Sequence, residues 1–270
     1  MKRYLFLVVA LLLAALYLFP LYWMYATALR PGGDLFRYPP EIWPSHPHFE
    51  ITRVFLTYAV GRYVWNSLVV ASGTTLITMV LGTGAAYVLA RSRHPMVSVT
   101  LFVILVLQVL PPSLMVTPIF VAFNQLGLLE WPRLAVVLAT SAKTLPFYII
   151  LCRATFAQVP GELEQAALVD GNSRVGAFFH IMLPLARNGI LVVSTLVFLQ
   201  SFGEYVYSRS LIASTDLQTA TVGLSTFLGA NAQDWAGLMT YASIYVTPIL
   251  VIFILLQRHI VSGLTAGALK

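Results

Sequence analysis

Residues 160–188, PGELEQAALVDGNSRVGAFFHIMLPLARN, form the longest polar island between apolar runs in the C-terminal half that still reads as helical. Pro160 and Gly161 end the apolar run before it. Glu162 and Glu164 fall in a first helical turn, where negative charge suits the positive end of the helix dipole. Gly171 supplies the left-handed conformation that stops this helix. Asn172 or Ser173 then caps a second helix, which Pro184 closes. The pattern predicts helix, turn, helix, with Ala166 and Ala167 as a smooth face and Phe178 and Phe179 as a bulky one. So small a segment cannot bury both faces. Two uses fit: insertion into a partner beside the membrane, or an amphipathic hairpin lying on the lipid surface.

On either side the chain is apolar. Of 270 residues 59% are hydrophobic and 10% charged, against about 25% charged in an ordinary soluble domain. The apolar residues come in runs of about 20, enough to cross a hydrocarbon layer ~30 Å thick at ~1.5 Å per helical residue. The bilayer is therefore the solvent for most of the chain, which reads as all-α and polytopic. A first span covers Tyr4–Tyr25. Small residues Ala26, Thr27 and Ala28 after it resemble a signal-peptide cleavage site, but the run exceeds the ~7–15 residues of a signal core and reads as an uncleaved span. The stretch from Arg30 to Arg62 carries Pro31, Gly32, Gly33, Pro39, Pro40, Pro44 and Pro47, a density that makes it an aqueous loop.

The second span runs from about Tyr63 to Ala90 and the third from about Pro95 to Leu110, where Pro111 and Pro112 interrupt it. Ser113–Leu126 reads as a short helix at the outer surface. The fourth span covers Trp131–Phe156, the fifth Gly189–Tyr207 and the sixth Ala236–Gln257, leaving a polar tail. Six spans put both termini on one side. The basic residues of that side are Lys2, Arg3, Arg91, Arg93, Arg153, Arg174, Arg187, Arg258 and Lys270, and they outnumber those opposite, most of which lie in the long first loop. The positive-inside rule thus places both termini and the 160–188 segment in the cytoplasm. Three stretches result: 1–62, a span with an extracytoplasmic loop; 63–258, the helical core; and 259–270, the tail.

The net charge of +6 comes from short clusters beside the apolar runs, with no aromatic-interleaved basic stripe, which argues against nucleic-acid binding. The single cysteine, Cys152, reads as a small apolar packing residue and excludes a Cys-based zinc cluster. The five histidines are scattered, and His-Glu-x-x-His, Ser-x-x-Lys and Gly-x-x-x-x-Gly-Lys-Ser/Thr patterns are missing, so neither a membrane enzyme nor an ATPase is indicated. An ion-coupled secondary transporter would set ionisable residues or broken helices near the midplane, and a single candidate acid speaks against one.

Lys143 and Glu204 are the ionisable residues within or at the edge of predicted spans; at the bilayer centre each would cost ~2.5–3.5 kcal/mol facing lipid. They should pair between the fourth and fifth spans, meet water, or meet solute. A cation at 143 facing solute would favour an acidic one. Pro146 and Pro248 read as kinks, Gly82 and Gly84 as close-packing positions, and Trp65, Trp131 and Trp235 as an interfacial belt.

The hairpin resembles the so-called EAA loop of the membrane subunits of ATP-binding-cassette importers: Glu-Ala-Ala, three residues, Gly, nine residues, Ile, any residue, Leu-Pro. Gln165, Ala166, Ala167, Gly171, Ile181, Leu183 and Pro184 stand at its positions, and every one matches except Gln165, where the family has Glu. The resemblance implies a type I importer transmembrane domain whose loop, with Glu164 and Asp170 beside the motif, contacts an ATPase. Either Gln165 keeps that contact as an uncharged hydrogen bond, or the neighbouring Glu164 takes over the family's charged contact. Two more segments resemble the carbohydrate-importer branch and its second permease, the smaller membrane subunit of the maltose transporter. FLQSFGEY at 198–205 retains Glu204 near Gln200, with Gly203 in place of Asn, and QRHIVSGLTAGALK at 257–270 is similar to a tail that reaches the ATPase dimer through residues such as Gly263, Leu264, Thr265 and Gly267. The partners so implied are a second permease, two ATPase subunits that bind ATP and Mg, an extracytoplasmic binding protein and a sugar. No cofactor is expected on this chain.

Overall fold

The computed structural model describes residues 2–229 and 234–265, with side chains from Arg3 to Gln257 outside that gap. The described residues contain no strand. Helix α1 (Lys2–Ala28) is followed by the proline-rich loop, a short α2 (Ile51–Thr57) and the long α3 (Val60–Arg91). Next come α4 (Met96–Val109) and α5 (Pro112–Gln125), which meet at 96°. The bend follows from Leu110 and Pro111, both extended ahead of a proline, a position that disfavours helix. Helix α6 (Pro132–Gln158) leads to α7 (Gly161–Val169), α8 (Arg174–Ala177) and α9 (Leu183–Phe202); α10 (Val206–Leu211), α11 (Ala220–Ser225) and α12 (Trp235–Thr265) complete the chain. Five helices are long and apolar enough to cross a membrane, and the bent α4–α5 pair makes six if counted as one broken span.

Three expectations about element ends change. Pro184 does not close the hairpin's second helix: Arg174–Phe202 runs as one 29-residue helix. A π turn at Phe178–Met182, in which the Leu183 N–H reaches back to the Phe178 carbonyl, widens the helix just before Pro184. This accommodates a residue without an N–H. The fifth span ends at Phe202, because Gly203 caps it, and Tyr207 belongs to α10. The tail is not separate from the sixth span, since α12 continues to Thr265. It includes Gly263, whose helix cost of about 1 kcal/mol a long helix absorbs.

The chain divides into two compact units, residues 1–64 with 220–250, and residues 65–219 with 251–270. Segment 220–250 thus groups with the N-terminal stretch rather than with the rest of 63–258. In the first unit the Tyr25 and Thr247 hydroxyls meet at 2.9 Å, and Thr240 donates to the Ala28 carbonyl at 3.3 Å. Arg30 is buried, stacks 4.8 Å over the Trp23 ring and donates to the Glu41 carbonyl, which ties the proline-rich loop to the end of α1. Asp234 heads α12: it accepts from the Gly237 N–H at 2.8 Å, the Tyr58 hydroxyl at 2.8 Å and the Arg53 guanidinium at 3.1 Å.

In the second unit α3, α6 and α9 pack through small residues and hydroxyls. Gly82 lies against the Tyr148 ring, Gly189 against Thr155, and Gly73 against Val137, where an added Cβ would stand 3.1 Å from Val137. Thr83 and Tyr148 share a hydrogen bond at 2.8 Å, Thr78 and Thr144 another at 3.3 Å. Cys152 is a buried, free packing residue beside Tyr148 and Phe156. Gly84 departs from its expected role: no atom lies within 4 Å of where its Cβ would stand, so it borders open space.

Candidate coupling site

The hairpin after α6 is built from local signals. Helix α7 ends in a Schellman turn: the Asn172 N–H reaches the Ala167 carbonyl at 2.9 Å and the Gly171 N–H the Leu168 carbonyl at 3.2 Å. Gly171 takes φ +86°, a left-handed conformation that a side chain disfavours. Of the two candidate caps, Ser173 acts, its hydroxyl accepting from the Gly176 N–H at 3.0 Å.

Its attachment to the helices is long-range. The Tyr87 hydroxyl of α3 donates to Glu164 Oε1 at 2.6 Å, and the Arg91 guanidinium lies 3.1 Å from Glu164 Oε2. Arg91 also donates to the Val159 carbonyl at 2.7 Å and touches Met182 Sδ at 3.6 Å. One arginine at the end of α3 therefore grips the end of α6, the first hairpin helix and the π turn. Phe178 packs against Tyr87 at 4.8 Å and Phe156 at 6.2 Å between ring centroids.

These contacts sort the motif residues. Glu164 is turned inward with both oxygens engaged, while Gln165, Ala166 and Asp170 are exposed. Ala167 is buried, so the expected pair of exposed alanines is reduced to Ala166. Likewise Phe178 is largely covered and only Phe179, 56% exposed, remains a bulky open residue. Ile181 and Leu183 are half-buried, Leu183 against the α6–α9 core, and Pro184 is exposed. Arg91 and Tyr87 were not legible as site residues: the sequence signals only a basic span end and an aromatic in an apolar run.

Of the options open to Glu204 and Lys143, the pair between spans is not the one formed. Lys143 has no hydrogen-bond or ion-pair partner among the described residues. It lines a pocket of about 310 Å3 near the middle of α6, with Gln108, Pro112, Met115, Pro146 and Tyr207, where the α4–α5 bend opens. Glu204 is 4% exposed; Oε1 accepts from the Tyr207 N–H at 2.8 Å, and Oε2 from the Ser208 N–H at 2.9 Å and its hydroxyl at 3.0 Å. These are donors of the first turn of α10, so Glu204 holds that helix start. Gln200 is exposed near the end of α9. Gly263, Leu264 and Thr265 lie in the last turns of α12, and Gly267 falls outside the described residues.

Comparison with known proteins gives one answer. Residues 79–266 match the family described as "Binding-protein-dependent transport system inner membrane component". The chain is 32% identical over 256 residues to the diacetylchitobiose uptake system permease protein DasC of Streptomyces coelicolor, covering 93% of this chain and 91% of that one. It is 30% identical over 273 residues to the trehalose/maltose transport system permease protein MalG of Thermococcus litoralis, covering 100% and 98%. A crystal structure of a bacterial ABC transporter involved in import of the acidic polysaccharide alginate contains a chain with the same fold, at TM-score 0.77, 19% identity and 95% and 96% coverage. A multi-pass helical chain matched by this family over most of its length, the protein belongs to the binding-protein-dependent transport system inner membrane components.

Proposed function

We propose that this chain is one permease subunit of an ATP-binding-cassette importer for a sugar or sugar derivative, and that its hairpin is the element through which separate ATPase subunits move it. A second permease completes the pathway, an extracytoplasmic binding protein delivers the solute, and ATP and Mg reside on the ATPases. The termini and the hairpin face the cytoplasm, in accord with the basic residues at the span ends. The sugar assignment draws on relatives whose names specify diacetylchitobiose or trehalose/maltose.

The observation that carries this reading is the opposite placement of neighbours: Glu164 anchors the hairpin to α3, and Gln165 and Ala166 present an open face. Gln165, with a hydrogen-bonding amide but no charge, takes the outward contact, and Glu164 transmits the displacement to α3 and α6 through Arg91. Cysteine placed at 165 should cross-link to an ATPase subunit, and deletion of residues 166–171 should release that subunit from the purified complex. Retention of the ATPase after the deletion would sink the assignment.

A second reading concerns the solute. An ammonium with no partner among the described residues, in a mid-span pocket beside a broken helix, is suited to an anionic group. Lys143→Gln should lower uptake of an acidic sugar more than that of a neutral one. Equal effects on both would leave Lys143 without a role in selectivity.

A further inference from the structure

At the hairpin end of α3 lies a pocket of about 700 Å3 that the coupling contacts leave open. Its apolar wall is formed by Gly84 and Val88 of α3 with Val175 and Phe179 of the hairpin. Val88, Val175 and Phe179 are 57%, 66% and 56% exposed, and Gly84 adds no bulk, so this wall is left uncovered among the described residues. Its basic rim is Arg91, Arg93 and Arg174. Glu164 is the single acid among the lining residues, and Arg91 already answers it at 3.1 Å. Arg93 and Arg174 have no hydrogen-bond or ion-pair partner among the described residues. Two positive charges are thus left over beside an apolar surface.

Depth narrows the occupant. Helix α3 has 32 residues, so its length of roughly 48 Å exceeds the ~30 Å hydrocarbon core and its ends lie among headgroups. The 29-residue helix that begins at Arg174 is long enough for the same. A pocket at that depth, basic at its rim and apolar inside, complements an amphiphile with an anionic head.

We propose that this pocket binds an anionic phospholipid, with the phosphate between Arg93 and Arg174 and an acyl chain along Gly84, Val88 and Phe179. A free phosphate would leave the apolar wall uncovered. Because Arg91 lines the same pocket, the bound lipid braces the wall from which the hairpin hangs. The site does not depend on the function proposed above, since its chemistry is that of this chain alone.

Native mass spectrometry tests it on the full chain purified with whatever subunits it assembles with, titrated with phosphatidylglycerol or phosphatidylcholine. The wild type should prefer phosphatidylglycerol about thirtyfold, the effect of two arginines near a charged headgroup. Arg93→Gln with Arg174→Gln should abolish that preference, and Arg93→Lys with Arg174→Lys should keep most of it. Lipid retention is read whether or not an ATPase co-purifies, which separates this result from the coupling assignment. Equal retention of both lipids would overturn the proposal. So would displacement of phosphatidylglycerol by inorganic phosphate, which marks a free-anion site, or efficient cross-linking of Val175→Cys to a second permease, which marks a subunit interface.

Discussion

Helices α1 and α6 have the same length, and α1 is the more apolar, yet none of the apolar window of α1 is buried within the chain, against 56% of that of α6. In water the ranking would run the other way. In a bilayer the lipid is as apolar as leucine, so apolarity puts a helix into the membrane without drawing it toward another helix. What gathers α6 in are small and hydroxyl-bearing residues: Ala135, Ala139, Thr140, Ser141 and Thr144 are all buried, and Tyr148 meets Gly82 and Thr83 of α3. The first nineteen residues of α1 contain Ala10, Ala14 and Ala15 but no glycine, serine or threonine, and the rest are nearly all large aliphatic or aromatic side chains.

That contrast can be broken most severely where a charge ties the helices together. Arg91→Ala leaves Glu164 inward-facing beside a bare Val159 carbonyl, and should cost about 3 kcal/mol and abolish ATP-driven uptake. Thermal melting of the purified complex measures the loss. A double-mutant cycle with Glu164→Ala should be strongly non-additive, and additive losses would contradict the tie.

The next largest effect separates the two helices directly. Gly82→Val drives a side chain into the Tyr148 ring and should destabilise by ~1–3 kcal/mol. Leu12→Val on the exposed surface of α1 should change melting by no more than ~0.5 kcal/mol. A comparable loss at both positions would remove the distinction between lipid-facing and packed spans.

Gly171→Ala sharpens the comparison at the hairpin, where nothing crowds the glycine and only its φ of +86° resists a side chain. The expected cost is about 1 kcal/mol, seen as reduced uptake with the complex still assembled.

The smallest effect is a pH dependence in the first unit. Burial acts to raise the Asp234 carboxyl, but the Gly237 N–H, the Tyr58 hydroxyl and Arg53 outweigh it and hold the group below its usual 3.8. A depressed acid contributes stability above its unfolded value and loses it as pH falls through the folded one. Protection factors for hydrogen exchange over residues 50–58, corrected for the intrinsic rate, should therefore hold near neutrality and fall only below pH 3.8. In Asp234→Asn this acid-dependent step should vanish; its persistence would assign the step to another carboxyl.

Much of the architecture was legible in the chain itself. Run length and the scarcity of charge settle a multi-span helical membrane protein, because each span must satisfy its own backbone hydrogen bonds in lipid. Gly171, Ser173 and the Pro111–Pro112 pair mark their turns through local backbone preferences that need no distant partner. Adjacent residues such as Glu164 and Gln165 are different: helical geometry sets them about 100° apart and says nothing of which one turns inward. That choice belongs to Tyr87 and Arg91, far away in the chain. The separation of Lys143 from Glu204 is of the same kind, since it depends on which surfaces meet in the fold, whereas the passage of a helix through Pro184 rests on a local π turn that Pro184's identity alone does not announce.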